Sequence, residues 1–191
     1  MRDVLRKVGP CKLRRRRDYF VFLCRSIYSQ QISTAVAASL FKQFRGHFPR
    51  KRPTPALTRA ILAESNAAAH PRGLSRQKKT YLLDLAHHFD NNLIPARRLA
   101  RMSDEEVIET LIRVRGIGRW TAEMFLIFVL NRPDVLPVDD LGLRVGVQKA
   151  YGLKDRPTAQ EVREIAKTWE PHRTLGTWAM WRFLEHTRKK D

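Results

Sequence analysis

Cysteine is scarce in this chain of 191 residues, which carries only Cys11 and Cys24. Two cysteines are too few for a disulfide framework or for an iron–sulfur cluster with four cysteine ligands. The six histidines show no zinc-ligand spacing. A signal peptide and an uninterrupted apolar run of about 18 residues are missing as well. We therefore expect an intracellular protein without a metal centre, a membrane span or a membrane partner.

Acidic residues are also few, with 19 Asp and Glu against 37 Lys and Arg, which gives a formal net charge of +18. This imbalance favours a polyanionic partner, and nucleic acid before an acidic membrane surface. Non-specific solubility is the alternative, but a net charge of about 2 to 8 suffices for that in a small domain. The length fits one domain that can bury a real core and has room for two small lobes.

No segment shows sustained alternation with a period of two residues, so we predict an all-α fold. Two capping boxes, Ser103 with Glu106 and Thr158 with Glu161, mark the first turns of two helices. Ser75 is placed to cap a third helix. Helical spacing of apolar residues predicts helices at about residues 19–29, 32–44, 56–68, 76–89, 104–113 and 119–130.

A glycine hairpin, Gly116-Ile117-Gly118, lies between the last two of these helices. The two glycines would allow positive φ and a close approach of the backbone to a ligand. The free N–H groups of the helix that begins near Arg119, together with its dipole, would form a phosphate site that carries no base specificity. A GxG alone is as often a mere tight turn, but here it joins a capped helix to a strongly apolar one.

Asp140 lies at the predicted start of another helix, directly before Leu141. On sequence alone it is a good N-cap, and most aspartates in such a position do nothing else. A fixed carboxylate is also what cleavage of a glycosidic bond needs, and a helix N-terminus favours negative charge there. The neighbouring Asp139 is interpreted as structural or as a minor electrostatic neighbour.

Several motifs together resemble the helix–hairpin–helix DNA glycosylase superfamily. VRGIGRWTAEMFLIF, from residue 114, resembles its hairpin signature, and VDDLGLR, with Asp140 twenty residues past Trp120, looks like its catalytic segment. The superfamily's SQQ, GLSxxK and WxPxR patterns are matched by QQIS at 30–33, GLSRQK at 73–78 and WEPHR at 169–173. The resemblance runs from about residue 20 to 187, and its closest branch is DNA-3-methyladenine glycosylase II.

This resemblance implies one catalytic domain over residues 1–191, with two helical lobes and the active-site cleft between them. The central lobe would span residues 30–135, with the helix–hairpin–helix at 104–131, and the second lobe would combine 1–29 with 136–191. No cofactor is expected, although a monovalent cation held by hairpin carbonyls stays open. The expected partner is double-stranded DNA with alkylated bases, bound by a monomer, at the nucleoid in a bacterial cytoplasm or in a eukaryotic nucleus.

The resemblance also assigns residues. Asp140 is the expected catalytic carboxylate, and Trp120, Trp181 and Met124 are expected to line the base pocket, where Met124 replaces a frequent aromatic residue. Gln31 stands at the wedge position. For the tryptophans a place in the core is the alternative; Trp169 is expected there, whereas Trp178 is undecided. The expected DNA-binding residues are Gln30, Gln31, Ser33, Lys78, Arg115, Gly116, Gly118, Arg119 and Thr121.

Bifunctional members of the superfamily place a lysine where this chain has Trp120, and Lys149 and Lys154 do not occupy that position. Without the amine no Schiff base with the sugar can form there. The resemblance therefore predicts a monofunctional glycosylase that removes alkylated purines such as 3-methyladenine and leaves an abasic site. Two alternatives stay open: a non-enzymatic helix–hairpin–helix DNA-binding module, and a glycosylase-lyase that acts on oxidised bases.

Overall fold

The computed structural model describes residues 1–63 and 71–188, and within these ranges all regular secondary structure is helical. The predicted all-α fold is therefore confirmed. None of the helices in these ranges is long and apolar enough to cross a membrane. The described α-helices are α1 Arg2–Val8, α2 Tyr19–Tyr28, α3 Thr34–Gly46, α4 Pro55–Ala63, α5 Arg76–Asp90, α6 Asp104–Leu111, α7 Arg119–Phe125, α8 Leu141–Tyr151, α9 Ala159–Ala166 and α10 Arg173–Arg188.

Two compact units make up the fold. The central unit lies within Arg16–Phe125, and the terminal unit combines Met1–Arg15 with the described residues from Leu126 onward. These divisions fall earlier in the chain than the predicted lobe boundaries before residue 30 and after residue 135. For the first division the reason is α2, whose apolar side packs against α3, α5 and α7 of the central unit.

Aromatic side chains fill much of the core of the central unit. Tyr28 of α2 lies with its ring centroid 4.8 Å from that of Phe44 in α3, and Phe44 lies 4.8 Å from Phe48. Tyr19 at the start of α2 makes an edge-on contact with Phe125 of α7 at 5.4 Å. Such large rings bury much apolar area and favour tilted or edge-on pairs. They fix the ends of α2 against the neighbouring helices.

In the terminal unit, α10 packs against both α1 and α8. The α8–α10 contact is close because Gly146 has no side chain: a Cβ there would lie 2.7 Å from the carbonyl oxygen of Met180. Trp169 and Trp178 are both buried in this core. This confirms the expectation for Trp169 and shows that Trp178, whose place was undecided, is also a core residue. The N-terminal segment, α1, contributes Val4 to the same core.

The predicted helix starts agree well with the structure. Both capping boxes form, and the Ser75 hydroxyl accepts from the N–H of Lys78. The predicted end of the helix at 56–68 lies outside the described residues. The apolar helix that follows the hairpin changes form, since α7 gives way to a π-helix at Leu126–Leu130. Five consecutive apolar residues carry no periodicity that would distinguish the wider turn from an α-helix.

Candidate functional site

The hairpin joins α6 to α7 and contains one position that only glycine fills without strain. Gly116 has φ 81°, in the left-handed region, and the ring of Tyr81 from α5 occupies the place where its Cβ would lie. Gly118 is different: its φ is not positive and no atom lies within 4 Å of a Cβ built on it. Of the two glycines expected to allow positive φ and a close backbone approach, only Gly116 has a positive φ, and the open surroundings of Gly118 leave its backbone accessible.

Side chains from α5 and from the segment after α2 hold the hairpin in place. The Asp84 carboxylate accepts from the backbone N–H of Arg115 at 2.8 Å. Gln30 Nε2 donates to the carbonyl oxygen of Gly116 at 2.7 Å. Together with the Tyr81 ring, these bonds fix the N–H of Arg115 and the carbonyl of Gly116.

Two predicted DNA contacts have partners inside the protein. The guanidinium of Arg119 forms two parallel bonds with the Glu105 carboxylate, at 2.8 and 2.9 Å, and lies 3.4 Å from a carboxylate oxygen of Glu123. The hydrogen bond to Glu105 raises the pKa of Arg119 and lowers that of Glu105. Lys78 is buried and donates to the Tyr28 carbonyl at 2.8 Å, and burial lowers its pKa.

The remaining predicted DNA contacts lie in varied surroundings. Arg115 is exposed, whereas Thr121 is buried in the first turn of α7. Ser33 caps α3 and accepts from the N–H of Val36 at 3.4 Å. Gln31 is exposed and has φ 59°, a left-handed conformation that costs a non-glycine residue roughly 1–2 kcal/mol. An exposed side chain on such a backbone is typical of functional positions.

Asp140 is the N-cap of α8, as its sequence position predicted. Its Oδ1 atom accepts from the backbone N–H of Leu143 at 2.6 Å and from the indole N–H of Trp181 at 2.7 Å. The Trp181 ring in turn stacks on Phe128, with centroids 5.6 Å apart and planes 16° from parallel. Asp140 and Trp181 remain partly exposed. A carboxylate with a fixed orientation thus adjoins a stacked aromatic pair.

Helix α10 also holds the chain before Asp140. Arg173 forms a bidentate pair with Asp134, at 2.8 and 2.7 Å, which lowers the pKa of that carboxyl. The Thr174 hydroxyl donates to the carbonyl of Arg132 at 2.7 Å and accepts from the N–H of Val135 at 2.9 Å. Since Trp181 belongs to the same helix, α10 fixes the Asp140 segment at both ends.

The other two predicted pocket residues lie on α7. Trp120 is 49% exposed, which is unusual for so large an apolar side chain and excludes the alternative that it belongs to the core. Met124, one turn further, is buried. Asp139 is exposed beside Asp140. Within residues 1–63 and 71–188, no three His, Cys, Asp or Glu side chains come together as a metal site would require.

Comparison with known proteins identifies the family. The model of the HhH-GPD superfamily base excision DNA repair proteins matches residues 24–171. The chain belongs to this superfamily. Its membership confirms the predicted resemblance, and the motifs that carried the resemblance lie almost wholly inside the matched region.

Individual relatives agree with this result. The alkylbase DNA glycosidase-like protein mag2 of Schizosaccharomyces pombe is 31% identical over 98% of this chain and 89% of its own length. DNA-3-methyladenine glycosylase 1 of the same organism is 36% identical over 91% of this chain and 75% of its own. The solved structure of the S. pombe 3-methyladenine DNA glycosylase Mag1 in complex with abasic DNA matches with a TM-score of 0.83 at 32% identity, and covers 95% of this chain and 89% of that one.

Sequence reasoning on this HhH-GPD chain missed the residues that support the site. Asp84 and Tyr81 meet the hairpin only through the packing of α5, about 30 residues away along the chain. Phe128 was interpreted as part of an apolar helix, although it stacks on Trp181. Asp134 could have been found, because Arg173 in the WxPxR pattern needs a carboxylate partner when it is partly buried.

Proposed function

We propose that this protein is a monofunctional DNA glycosylase that hydrolyses the N-glycosidic bond of alkylated purines such as 3-methyladenine in duplex DNA and leaves an abasic site. The observation that carries the proposal is the Asp140 carboxylate, whose Oδ1 is held by two donors beside the stacked rings of Trp181 and Phe128. The names of the relatives, which include 3-methyladenine glycosylases, support the substrate class.

Asp140 acts on the charge that develops at the sugar. As the bond from C1′ to the base nitrogen breaks, the bonding electrons leave with the base, and the sugar becomes an oxocarbenium-like cation. A fixed carboxylate stabilises this cation without reorganising. Water then adds to C1′, its proton passing to Asp140 and on to solvent. An alkylated purine that carries positive charge leaves as a neutral base, so the step needs no strong general acid.

The hairpin binds the DNA backbone. The accessible backbone from Gly118 into the first turn of α7 binds a phosphate, and the exposed Arg115 adds charge. Gln31 fills the gap that the flipped nucleotide leaves in the duplex. The half-exposed indole of Trp120 stacks on the extruded base and attracts a cationic one by roughly 0.5–2 kcal/mol.

Strand cleavage is not part of the proposed activity. The position on α7 where lyases of this type carry their lysine is Trp120, and an indole cannot form a Schiff base. We further propose that the protein acts as a monomer, in the bacterial cytoplasm at the nucleoid or in the eukaryotic nucleus. Borohydride trapping on a duplex with an oxidised base tests the lyase alternative, which a covalent protein–DNA adduct would support.

Release of bases from methylated DNA, resolved by chromatography, tests the proposal directly. We expect 3-methyladenine to be released, and Asp140→Asn to lower the rate by at least about 100-fold. Asn caps a helix as well as Asp does and keeps the oxygen that Leu143 and Trp181 donate to, so the fold should persist. Duplex affinity should stay within a few-fold.

Asp139→Asn is the matched control, because it removes the same charge from the exposed neighbouring residue. It should leave most of the activity. If the substitution at 139 abolishes base release and the one at 140 does not, the catalytic assignment is wrong. If the wild-type protein binds duplex DNA but releases no base, the chain is a DNA-binding module instead.

A further inference from the structure

The hairpin owes its shape to an acidic residue that is distant in sequence. Asp84 lies in α5, and its Oδ2 accepts from the backbone N–H of Arg115, 31 residues further along the chain. The segment between α6 and α7 forms two successive turns. In the first, the N–H of Val114 donates to the carbonyl of Leu111, and in the second the N–H of Ile117 donates to the carbonyl of Val114. Asp84 receives the N–H between these turns.

A second bond acts on the adjacent carbonyl. Gln30 Nε2 donates to the oxygen of Gly116 at 2.7 Å, while the Tyr81 ring, three residues before Asp84 in α5, packs where a side chain at 116 would lie. The donor of Arg115 and the acceptor of Gly116 are therefore both held by side chains. The Asp84 side chain is only 22% exposed, which shields its bond from water.

A carboxylate is an unexpected residue beside a phosphate-binding loop, since its charge repels DNA. His88 Nδ1 lies 3.7 Å from the Asp84 carboxylate, beyond hydrogen-bond distance, and bonds at 2.9 Å to the Asp84 carbonyl instead. Asp84 contacts the hairpin as an acceptor, through its bond with the Arg115 N–H. Its charge should be neutral or unfavourable for binding.

We propose that Asp84 is a positioning residue for DNA binding, which fixes the Arg115–Gly116 turn so that the amides from Gly118 onward face a backbone phosphate. This inference rests on the proposed role of the hairpin. It predicts that the acceptor oxygen of residue 84 is needed and that the negative charge is not.

The test measures affinity for an undamaged duplex and, separately, the single-turnover rate of base release at saturating methylated DNA. Asp84→Ala should weaken duplex binding about tenfold and change the saturated rate less than about threefold. Asp84→Asn keeps an oxygen for the Arg115 N–H, and should bind as tightly as the wild type or more tightly. The matched control is Asp90→Ala, which removes the same charge from the end of α5, where Asp90 pairs with Arg59 at 2.8 Å. It should not weaken binding.

Three results would overturn the inference: equal affinities for the Ala variants at 84 and 90, an Asn variant as weak as the Ala variant, or a loss confined to the saturated rate. Hydrogen exchange of the Arg115 amide in the wild-type protein gives a readout that does not depend on any variant folding. This amide should be protected, and exchange at the rate of an open amide would contradict the proposed bond. If the affinities follow the expected pattern while the wild type releases no base, only the proposed catalytic function fails.

Discussion

Hydrogen bonds hold both the hairpin of the central unit and the Asp140 segment of the terminal unit, but they hold a backbone in the first and a side chain in the second. The hairpin groups that we propose bind phosphate are backbone amides. Side chains hold this backbone: Asp84 accepts from the N–H of Arg115, and Gln30 donates to the carbonyl of Gly116. At Asp140 the proposed catalytic group is a side chain, and the backbone N–H of Leu143 helps to hold it.

This difference determines where each site is sensitive to substitution. Backbone amides remain when most side chains are replaced. DNA binding by the hairpin should therefore be sensitive to substitution of the side chains that hold it, and of Gly116, which leaves room for the Tyr81 ring. A working carboxylate is lost with its own side chain and is weakened by the loss of its donors. The substitutions below test these expectations.

Gly116→Ala should have the largest effect on stability among the hairpin variants. Alanine at φ 81° costs roughly 1–2 kcal/mol, and displacing the Tyr81 ring adds about 1–3 kcal/mol. The free energy of unfolding should fall by about 2–5 kcal/mol, measured by denaturant or thermal melting. Gly118→Ala is the control, because its φ and its surroundings accommodate a methyl group. Equal losses in the two variants would show that the turn is not held as described.

Trp181→Phe should lower kcat of base release about tenfold, because it removes the indole N–H that donates to Asp140 Oδ1 at 2.7 Å. KM should change little, since phenylalanine keeps an aromatic ring beside Phe128. Trp178→Phe, in the buried core of the same helix, controls for the general loss of an indole. It should lower the melting temperature and leave kcat nearly unchanged. A rise in KM with unchanged kcat would assign Trp181 to base binding alone.

Much of the fold and of the Asp140 site could be predicted from sequence, because the signals are local. Capping boxes, helical spacing and an aspartate directly before an apolar helix depend on residues within one or two turns of each other. The Asp140 cap was predicted in this way. Its bond to Trp181, 41 residues away, was not, because nothing local to either residue specifies it.

The supports of the hairpin could not be predicted for the same reason. Asp84 in α5 follows no motif, and its role depends on how α5 packs against the turn. Arg119 and Lys78 were expected at DNA because the motifs that contain them resemble those of the superfamily, but each has an intramolecular partner in the structure. A motif match does not reveal which cations are already paired.

The effect of Trp120→Ala on base release should depend on the lesion. Stacking is worth about 1–3 kcal/mol for any base, and the cation–π term of at most about 2 kcal/mol is added only for a charged one. The loss of rate should therefore be about 2- to 30-fold larger on 3-methyladenine than on neutral hypoxanthine. Because the side chain is 49% exposed, the melting temperature should change little. Equal losses on both lesions would argue against contact with a cationic base.

Gln31→Gly should have a small effect on stability, in the favourable direction. Glycine removes the roughly 1–2 kcal/mol cost of φ 59° and adds about 0.5–1 kcal/mol of unfolded-state entropy, so stability should rise by up to about 1.5 kcal/mol. Base release from duplex DNA should nevertheless fall, because the side chain that we propose fills the gap is gone. Gln31→Ala separates the two effects, since it removes the side chain and keeps the strain: it should lose activity to a similar extent and gain no stability. If the Gly variant is less stable than the Ala variant by the full entropy cost of glycine, about 0.5–1 kcal/mol, the backbone at 31 is not strained. If both keep full activity on duplex DNA, another residue fills the gap.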